Sequence, residues 1–215
     1  MSAATPRISG SLPQLVLASA SPRRRALLHA LGLTPVIEVS EVDESVHAGE
    51  PPEAAVRRLA EAKGLDAHRR NPEALVLAAD TLVVLDGPQG ALPLGKPRDL
   101  TEAAAMLRQL SGRQHRVLTG VSLHSPRRAV VSDVAETRVR FAPLAGRVIE
   151  WYLRTGEAID KAGAYGVQGA AALFVEHLKG SWTNVAGLPL ERLPALFTSA
   201  GYDLSDFLGA PAEPK

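Results

Sequence analysis

Cysteine is absent from the chain. That excludes a disulfide scaffold, a thiol nucleophile and cysteine-ligated zinc, and it fits a reducing compartment, so the cytoplasm is the expected location. No stretch of about 18 uncharged apolar residues occurs, which speaks against a transmembrane helix and a membrane partner. Leu15-Val16-Leu17 before Ala18-Ser19-Ala20 imitates a signal peptide with its cleavage site, but the apolar run is too short to be one. Charge of one sign is not in excess either, since 24 basic and 23 acidic residues leave a net charge of +1. With aromatics at 4%, a nucleic-acid-binding role is disfavoured, and any polyanion site must be local. Lysine is scarce, five against nineteen arginines. An internal lysine is therefore a candidate for a site that wants a compact point charge, such as a phosphate contact.

What is present reads as globular. The 215 residues are 46% hydrophobic and 22% charged, which suits one domain or one bilobed domain. Residues 1–13 read as a flexible leader, 14–208 as a single bilobed domain and 209–215 as a flexible tail. Strand-like and helix-like stretches alternate along the domain, so an α/β fold with a mixed sheet is expected. A strand at Leu15 to Ala18 leads into a helix from Pro22 to Leu31, closed by Gly32. A strand at Pro35 to Val39 and a helix from Pro52 to Lys63 follow. The most apolar segment, Ala74 to Ala79, continues through Asp80-Thr81 to Leu85 and reads as a central strand buried on both faces. Asp99 and Glu102 have the spacing of a helix start, with the helix reaching Leu110. His115 to His124 and Ala129 to Phe141 read as a hairpin. Beyond it lie a helix from Leu144 to Arg154, a glycine-bearing loop from Glu157 to Gly169, a strand at Leu173 to Leu178 and a helix from Pro189 to Ala200.

Three places break local rules. After Ser21 and Pro22, good residues for a helix start, the first turn holds Arg23, Arg24 and Arg25. Cations there oppose the partial positive charge of the helix N-terminus unless an anion sits among them. With the hydroxyls of Ser19 and Ser21 in the preceding turn, the segment is a candidate phosphate cradle. It lacks the spacing of a P-loop. Asp80 is a carboxylate inside an apolar strand, a costly position unless it is paired, hydrogen-bonded or metal-bound. Glu38, Glu41, Asp43, Glu44, Glu50 and Glu53 form a run free of Lys and Arg. Any one of them could join Asp80 in holding a divalent cation, and the spacing does not choose among them. In the late loop, Gly163, Gly166 and Gly169 permit positive φ, Lys161 brings charge, and Gln168 offers a donor and an acceptor suited to a base edge.

Ala18-Ser19-Ala20-Ser21-Pro22-Arg23-Arg24, Ala79-Asp80-Thr81 and Gly95-Lys96-Pro97-Arg98 together resemble the signatures of the Maf proteins, a family of nucleoside triphosphate pyrophosphatases. The resemblance spans about Leu15 to Asp206. The Asp160 to Gly169 loop, with Gly180-Ser181 and Gly187-Leu188-Pro189, is similar to the branch that hydrolyses dTTP and UTP rather than the one preferring 7-methyl-GTP. The resemblance implies a mixed sheet flanked by helices around a central nucleotide cleft, as in Maf and ITPase-like folds, a divalent cation (Mg²⁺ or Mn²⁺), pyrophosphate release and a homodimer. It makes Asp80 the proton acceptor or a metal ligand with Glu44, and ties Arg23, Thr81 and Gln168 to substrate choice. Lys63 and Lys96 match polar cleft positions, joining Ser19, Ser21, Arg24 and Lys161 as candidate substrate contacts. Ordinary dTTP and UTP and modified uridine triphosphates both stay open as the substrate in the cell. The leader, a longer turn from Gly87 to Leu94, and Trp182 in place of a smaller aromatic depart from the family pattern. The alternative is a non-catalytic nucleotide-binding regulator linked to cell division. Pure binding, however, gains nothing from carboxylates beside phosphates except through a metal.

Overall fold

The computed structural model describes residues 12–88 and 90–209. Apart from Leu12, Pro13 and Gly209, the predicted leader and tail lie outside these residues. The chain forms β1 (Leu15–Leu17), α1 (Pro22–Ala30), β2 (Val36–Ile37), α2 (Pro52–Arg70), β3 (Leu75–Gly87), β4 (Gly90–Leu94), α3 (Leu100–Leu110), β5 (Gln114–Ser125) and β6 (Arg128–Phe141). It ends with α4 (Gly146–Leu153), β7 (Val175–Lys179), α5 (Trp182–Val185) and α6 (Leu193–Ala200). The seven strands make one mixed sheet in the order β2-β1-β3-β5-β6-β7, with β4 also paired to β3. The expected α/β fold with helices on both faces is therefore present: α2 covers one face, and α1, α3, α4 and α6 the other.

The long central strand β3 organises everything else. Along one side it pairs with β5 without interruption from Val76 to Val84. Along the other, β1 runs parallel to Leu75 through Leu77, and β4 runs antiparallel to Val83 through Gly87. Residues 78–82 are left between them, a gap in the sheet on one edge of β3. Because strand side chains alternate between faces, this gap falls in a break of both cores. On the α1 and α3 face, Leu75, Leu77 and Ala79 belong to one apolar cluster and Val83 and Leu85 to another, with Thr81 between them. On the α2 face, Val76 and Ala78 belong to one cluster and Leu82 and Val84 to another, with Asp80 between them. Asp80 and Thr81 thus sit where four apolar clusters meet and none continues.

Helix α2 approaches the sheet closely because two glycines leave it room. A Cβ on Gly120 of β5 would lie 2.1 Å from the Val56 carbonyl oxygen, and one on Gly64 of α2 would lie 2.3 Å from the His124 ring. That close contact carries the helix past its expected end at Lys63 to Arg70, with Ala67 buried. Other boundaries also differ from the sequence reading. Within the Gly87 to Leu94 stretch that read as a turn, Gly90–Leu94 form a strand paired antiparallel to β3. Residues Ala170–Phe174 form a 3-10 turn before β7, and the predicted helix from Pro189 begins as a 3-10 turn at Leu190–Arg192. Helix α5, not expected, starts where the Ser181 side chain accepts from the Asn184 N–H. No helix among the described residues is long and apolar enough to cross a membrane.

Candidate active site

The gap in the sheet opens into a cavity of about 500 Å³. Its wall combines the β1–α1 turn, the middle of β3, the Gly95-Lys96 segment and the glycine-bearing loop. Of the predicted site residues, Ser19, Ser21, Arg23, Arg24, Glu44, Lys63, Asp80, Thr81, Lys96 and Lys161 line it. Gln168 does not: it is exposed, one residue beyond the cavity-lining Val167.

Asp80 and Lys63 are each only 6% exposed. Lys63 belongs to the buried stripe of α2 with Val56, Leu59 and Ala60, so its ammonium is carried straight to β3. Its Nζ lies 2.6 Å from Asp80 Oδ1 and 2.8 Å from Glu44 Oε1. Lys96 Nζ holds the other Glu44 oxygen at 3.2 Å. Partial burial pushes the Glu44 pKa up, but the bond and charge of Lys63, with Lys96, leave it below its ordinary value. Of the six acidic residues in the 38–53 run, Glu44 is the one that lines the cavity. Glu38 pairs with Arg70, Glu50 with Arg58 and Glu53 with Arg116, while Asp43 accepts from Ser45.

Across the gap stands the start of α1. Ser21 occupies the N-cap position without capping through its side chain, and its N–H instead donates to Ser19 Oγ at 3.2 Å. The three arginines separate by direction. Arg25 is exposed, Arg23 meets Asp160 at 3.5 Å, and Arg24 turns into the cavity. Arg24 donates from Nε to the Gly187 carbonyl at 2.7 Å, from Nη1 to Ser19 Oγ at 3.0 Å and from Nη2 to Thr81 Oγ1 at 3.2 Å. Gly187 has a φ of +107°, a left-handed value that suits glycine and that shapes the turn holding this carbonyl. Three of five guanidinium N–H groups are used and two remain. No carboxylate lies within ion-pair distance of Arg24 among the described residues, and burial lowers its pKa below the ordinary value while Asp80 pulls it the other way. A half-buried cation with spare donors is a strong anion seat.

In the glycine-bearing loop, Lys161 donates to the Glu157 carbonyl and to Asp160 Oδ1, both at 2.5 Å. Only Gly163 of its three glycines takes positive φ, at +66°. Gly166 and Gly169 serve space instead, because a Cβ would meet the Lys161 chain at 2.6 Å and a Glu157 oxygen at 2.1 Å. Residues that the sequence reading did not single out include Asp160 as the partner of Arg23, the Gly187 carbonyl, and Thr119 behind Thr81. Asp160 carried a signal as half of a charged pair next to Lys161. A main-chain carbonyl and an ordinary strand threonine carry none.

The donor set suits a hard divalent cation. Asp80 and Glu44 bring carboxylate oxygens to one ammonium, and Asp80 Oδ2 has no hydrogen-bond donor among the described residues. No group of three or more His, Asp or Glu gathers there or elsewhere among those residues. The residues fit Mg²⁺ or Mn²⁺ held by one or two carboxylates, with phosphate and water completing the shell.

The chain is 50% identical over 194 residues to a dTTP/UTP pyrophosphatase of Symbiobacterium thermophilum, covering 90% of this chain and 97% of that one. It is 49% identical over 190 residues to the dTTP/UTP pyrophosphatase of Myxococcus xanthus, covering 88% and 94%. Among solved structures, the Mycobacterium abscessus nucleoside-triphosphatase / dITP/XTP pyrophosphatase superposes with a TM-score of 0.40 at 17% identity, covering 61% of this chain and 75% of that one. A family model described as Maf-like protein matches residues 14–200, and with relatives at this identity over nearly the whole chain, the protein belongs to the Maf family.

Proposed function

We propose that the protein hydrolyses dTTP and UTP to the nucleoside monophosphate and pyrophosphate. The observation that carries this reading is the division of charge across one cavity. A buried lysine binds two carboxylates on one side, and a half-buried arginine with spare donors and no carboxylate in ion-pair reach stands on the other. The relatives named as dTTP/UTP pyrophosphatases support the same reaction.

In this reading the triphosphate lies against the α1 N-terminus. The two unused N–H groups of Arg24, the Ser19 and Ser21 hydroxyls, Arg23, Lys96 and Lys161 supply donors and positive charge. A water attacks the α-phosphorus, the bond to the β-phosphate bridging oxygen breaks, and pyrophosphate leaves. Asp80 takes the proton of that water. Since Oδ1 is held by Lys63, Oδ2 is the accepting atom. Glu44, fixed by two lysines, would hold the divalent cation while Asp80 acts as the base. That cation, when bound, neutralises phosphate charge as it develops on the leaving group. Gln168 meets O4 and N3–H of uracil or thymine at the rim of the cavity, where one amide satisfies both groups. Thr81, beside Arg24, meets the substrate from the opposite face of β3. The assembly proposed is a homodimer in the cytoplasm, which light scattering on the purified protein tests for its first part.

The test is pyrophosphate release from a panel of nucleoside triphosphates with Mg²⁺ or Mn²⁺, comparing the wild type with Asp80→Asn. Preference for dTTP and UTP, lost by at least a hundredfold in the variant while binding persists, is the expected result. Intact triphosphates throughout, with one still tightly bound, would overturn it.

A further inference from the structure

Thr119 lies on β5 directly opposite Thr81 in the β3–β5 register. It is fully buried and does not line the cavity. Its Oγ1 donates to the Asn184 main-chain carbonyl at 3.1 Å and lies 2.9 Å from Thr81 Oγ1. A carbonyl oxygen can only accept, and a hydroxyl has a single proton. The Thr119 proton is therefore spent on Asn184, and Thr81 must be the donor in the threonine pair. Arg24 Nη2 in turn donates to Thr81 Oγ1. The chain has one direction, from Arg24 to Thr81 to Thr119 to the Asn184 carbonyl.

We propose that Thr119 is a positioning residue for the reaction, acting through Thr81 on Arg24. By accepting the Thr81 proton it keeps that proton pointed into the sheet, so that Thr81 presents only lone pairs toward the cavity. Two consequences follow. Arg24 finds an acceptor on β3 and holds its two unused N–H groups in place for a phosphate. Thr81 itself offers the substrate side an acceptor, suited to a ribose hydroxyl, a base N–H or a water and unsuited to a phosphate oxygen. Asn184 fixes the far end: its side-chain amide donates to the Val117 carbonyl at 3.1 Å and to Thr137 Oγ1 at 2.9 Å, which anchors α5 and with it the accepting carbonyl. Without Thr119 as acceptor, the Thr81 hydroxyl turns its proton toward Arg24, where two donors oppose each other.

This inference rests on the nucleotide reading of the cavity, and the experiment separates the two. A double-mutant cycle uses Thr119→Val, Thr81→Val and the pair, read as kcat/KM for dTTP and, independently of turnover, as the dissociation constant of dTTP by calorimetry. Thr119→Val is expected to lose roughly tenfold, mainly in KM and binding, with a melting temperature that still reports a folded protein. Thr119→Ser, which keeps the hydroxyl, restores most of that loss. In the Thr81→Val background, Thr119→Val adds little, because its path to Arg24 is already cut. Wild-type kinetics and binding in a folded Thr119→Val protein, or losses that multiply in the pair, overturn the inference. A wild type that binds dTTP without hydrolysing it sinks the proposed reaction instead, and the binding arm still decides the role of Thr119. Should the valine variant fail to fold, Thr119→Cys keeps the size, weakens both hydrogen bonds and carries the same cycle.

Discussion

Lys63 Nζ lies 2.6 Å from Asp80 Oδ1, joining a helix to the midpoint of a strand where the apolar clusters on that face stop. The pair is buried on both sides, so removing one partner strands the other. Lys63→Met leaves Asp80 facing an apolar side chain and is expected to cost about 3 kcal/mol of stability. Turnover falls as well, since both carboxylates lose their anchor. Adding Asp80→Asn to Lys63→Met removes the stranded charge. Denaturant unfolding should then recover much of the stability while activity stays lost. If the double variant is no more stable than the single, the charge of Asp80 is not what the lysine offsets.

Two buried histidines set a pH window for stability. Burial pushes the His115 pKa down to about 4. Burial, helped by His68, pushes His124 down to about 4 as well. In the unfolded chain both return to about 6.5. As pH falls from 6.5 toward 4, the unfolded state takes up protons that the folded state does not, so stability present above the window is lost within it. The slope is at most about 1.4 kcal/mol per pH unit for each histidine. Melting temperatures measured from pH 7.5 to 4 should drop across this range, and His124→Gln should shallow the drop. An unchanged slope in that variant would show that the buried ring is not the titrating group.

The glycine contacts behind the site predict an order of damage. Gly120→Ala sets a Cβ 2.1 Å from a backbone carbonyl of α2, whereas Gly64→Ala sets one 2.3 Å from a histidine ring. A ring can rotate and a helix backbone cannot, so the first substitution must push α2 away from β5. It is expected to cost about 3 kcal/mol and to reduce kcat, because Lys63 moves with the helix. Gly64→Ala should cost less and spare kcat. Unfolding curves and turnover on both variants check the order.

Much of this was legible in the order of residues, for reasons that the structure makes physical. Asp80-Thr81 inside an apolar run marked the strand, because a buried polar pair has a cost that ordinary packing does not repay. Three arginines in a first turn marked the α1 N-terminus, where Arg23 and Arg24 both line the cavity. Lysine scarcity made every internal lysine a candidate, and the family resemblance chose Lys63 and Lys96 among them. The acidic run could not be resolved, since which carboxylate enters the cavity depends on which arginines of α2 and β5 claim the rest, a matter of tertiary pairing. Strand β4 hid behind Gly87, Pro93 and Gly95, which read as a turn, and is recruited by the free edge of β3. The extension of α2 was invisible because Gly64 looks like a helix stop and is in truth a point of close approach. Thr119 shows no local irregularity at all.

Arg23 and Asp160 supply the last prediction. Their ion pair is long, at 3.5 Å, and the carboxylate side chain is 61% exposed, so it contributes little to stability. It matters for the ligand. A triphosphate approaching the α1 N-terminus must compete with Asp160 for Arg23, and Asp160 also holds Lys161 at 2.5 Å. Asp160→Asn keeps the size of the side chain, frees two cations and removes a like charge from the path of the phosphates. KM for dTTP should fall severalfold with kcat little changed, and the melting temperature should stay within a degree or two of wild type. Because Asp160 is open to solvent, the gain should shrink as salt rises and the Debye length falls below about 8 Å. KM measured at low and high ionic strength checks both parts. A rise in KM would mean that Asp160 holds Arg23 in place for the substrate rather than occupying it in the substrate's absence.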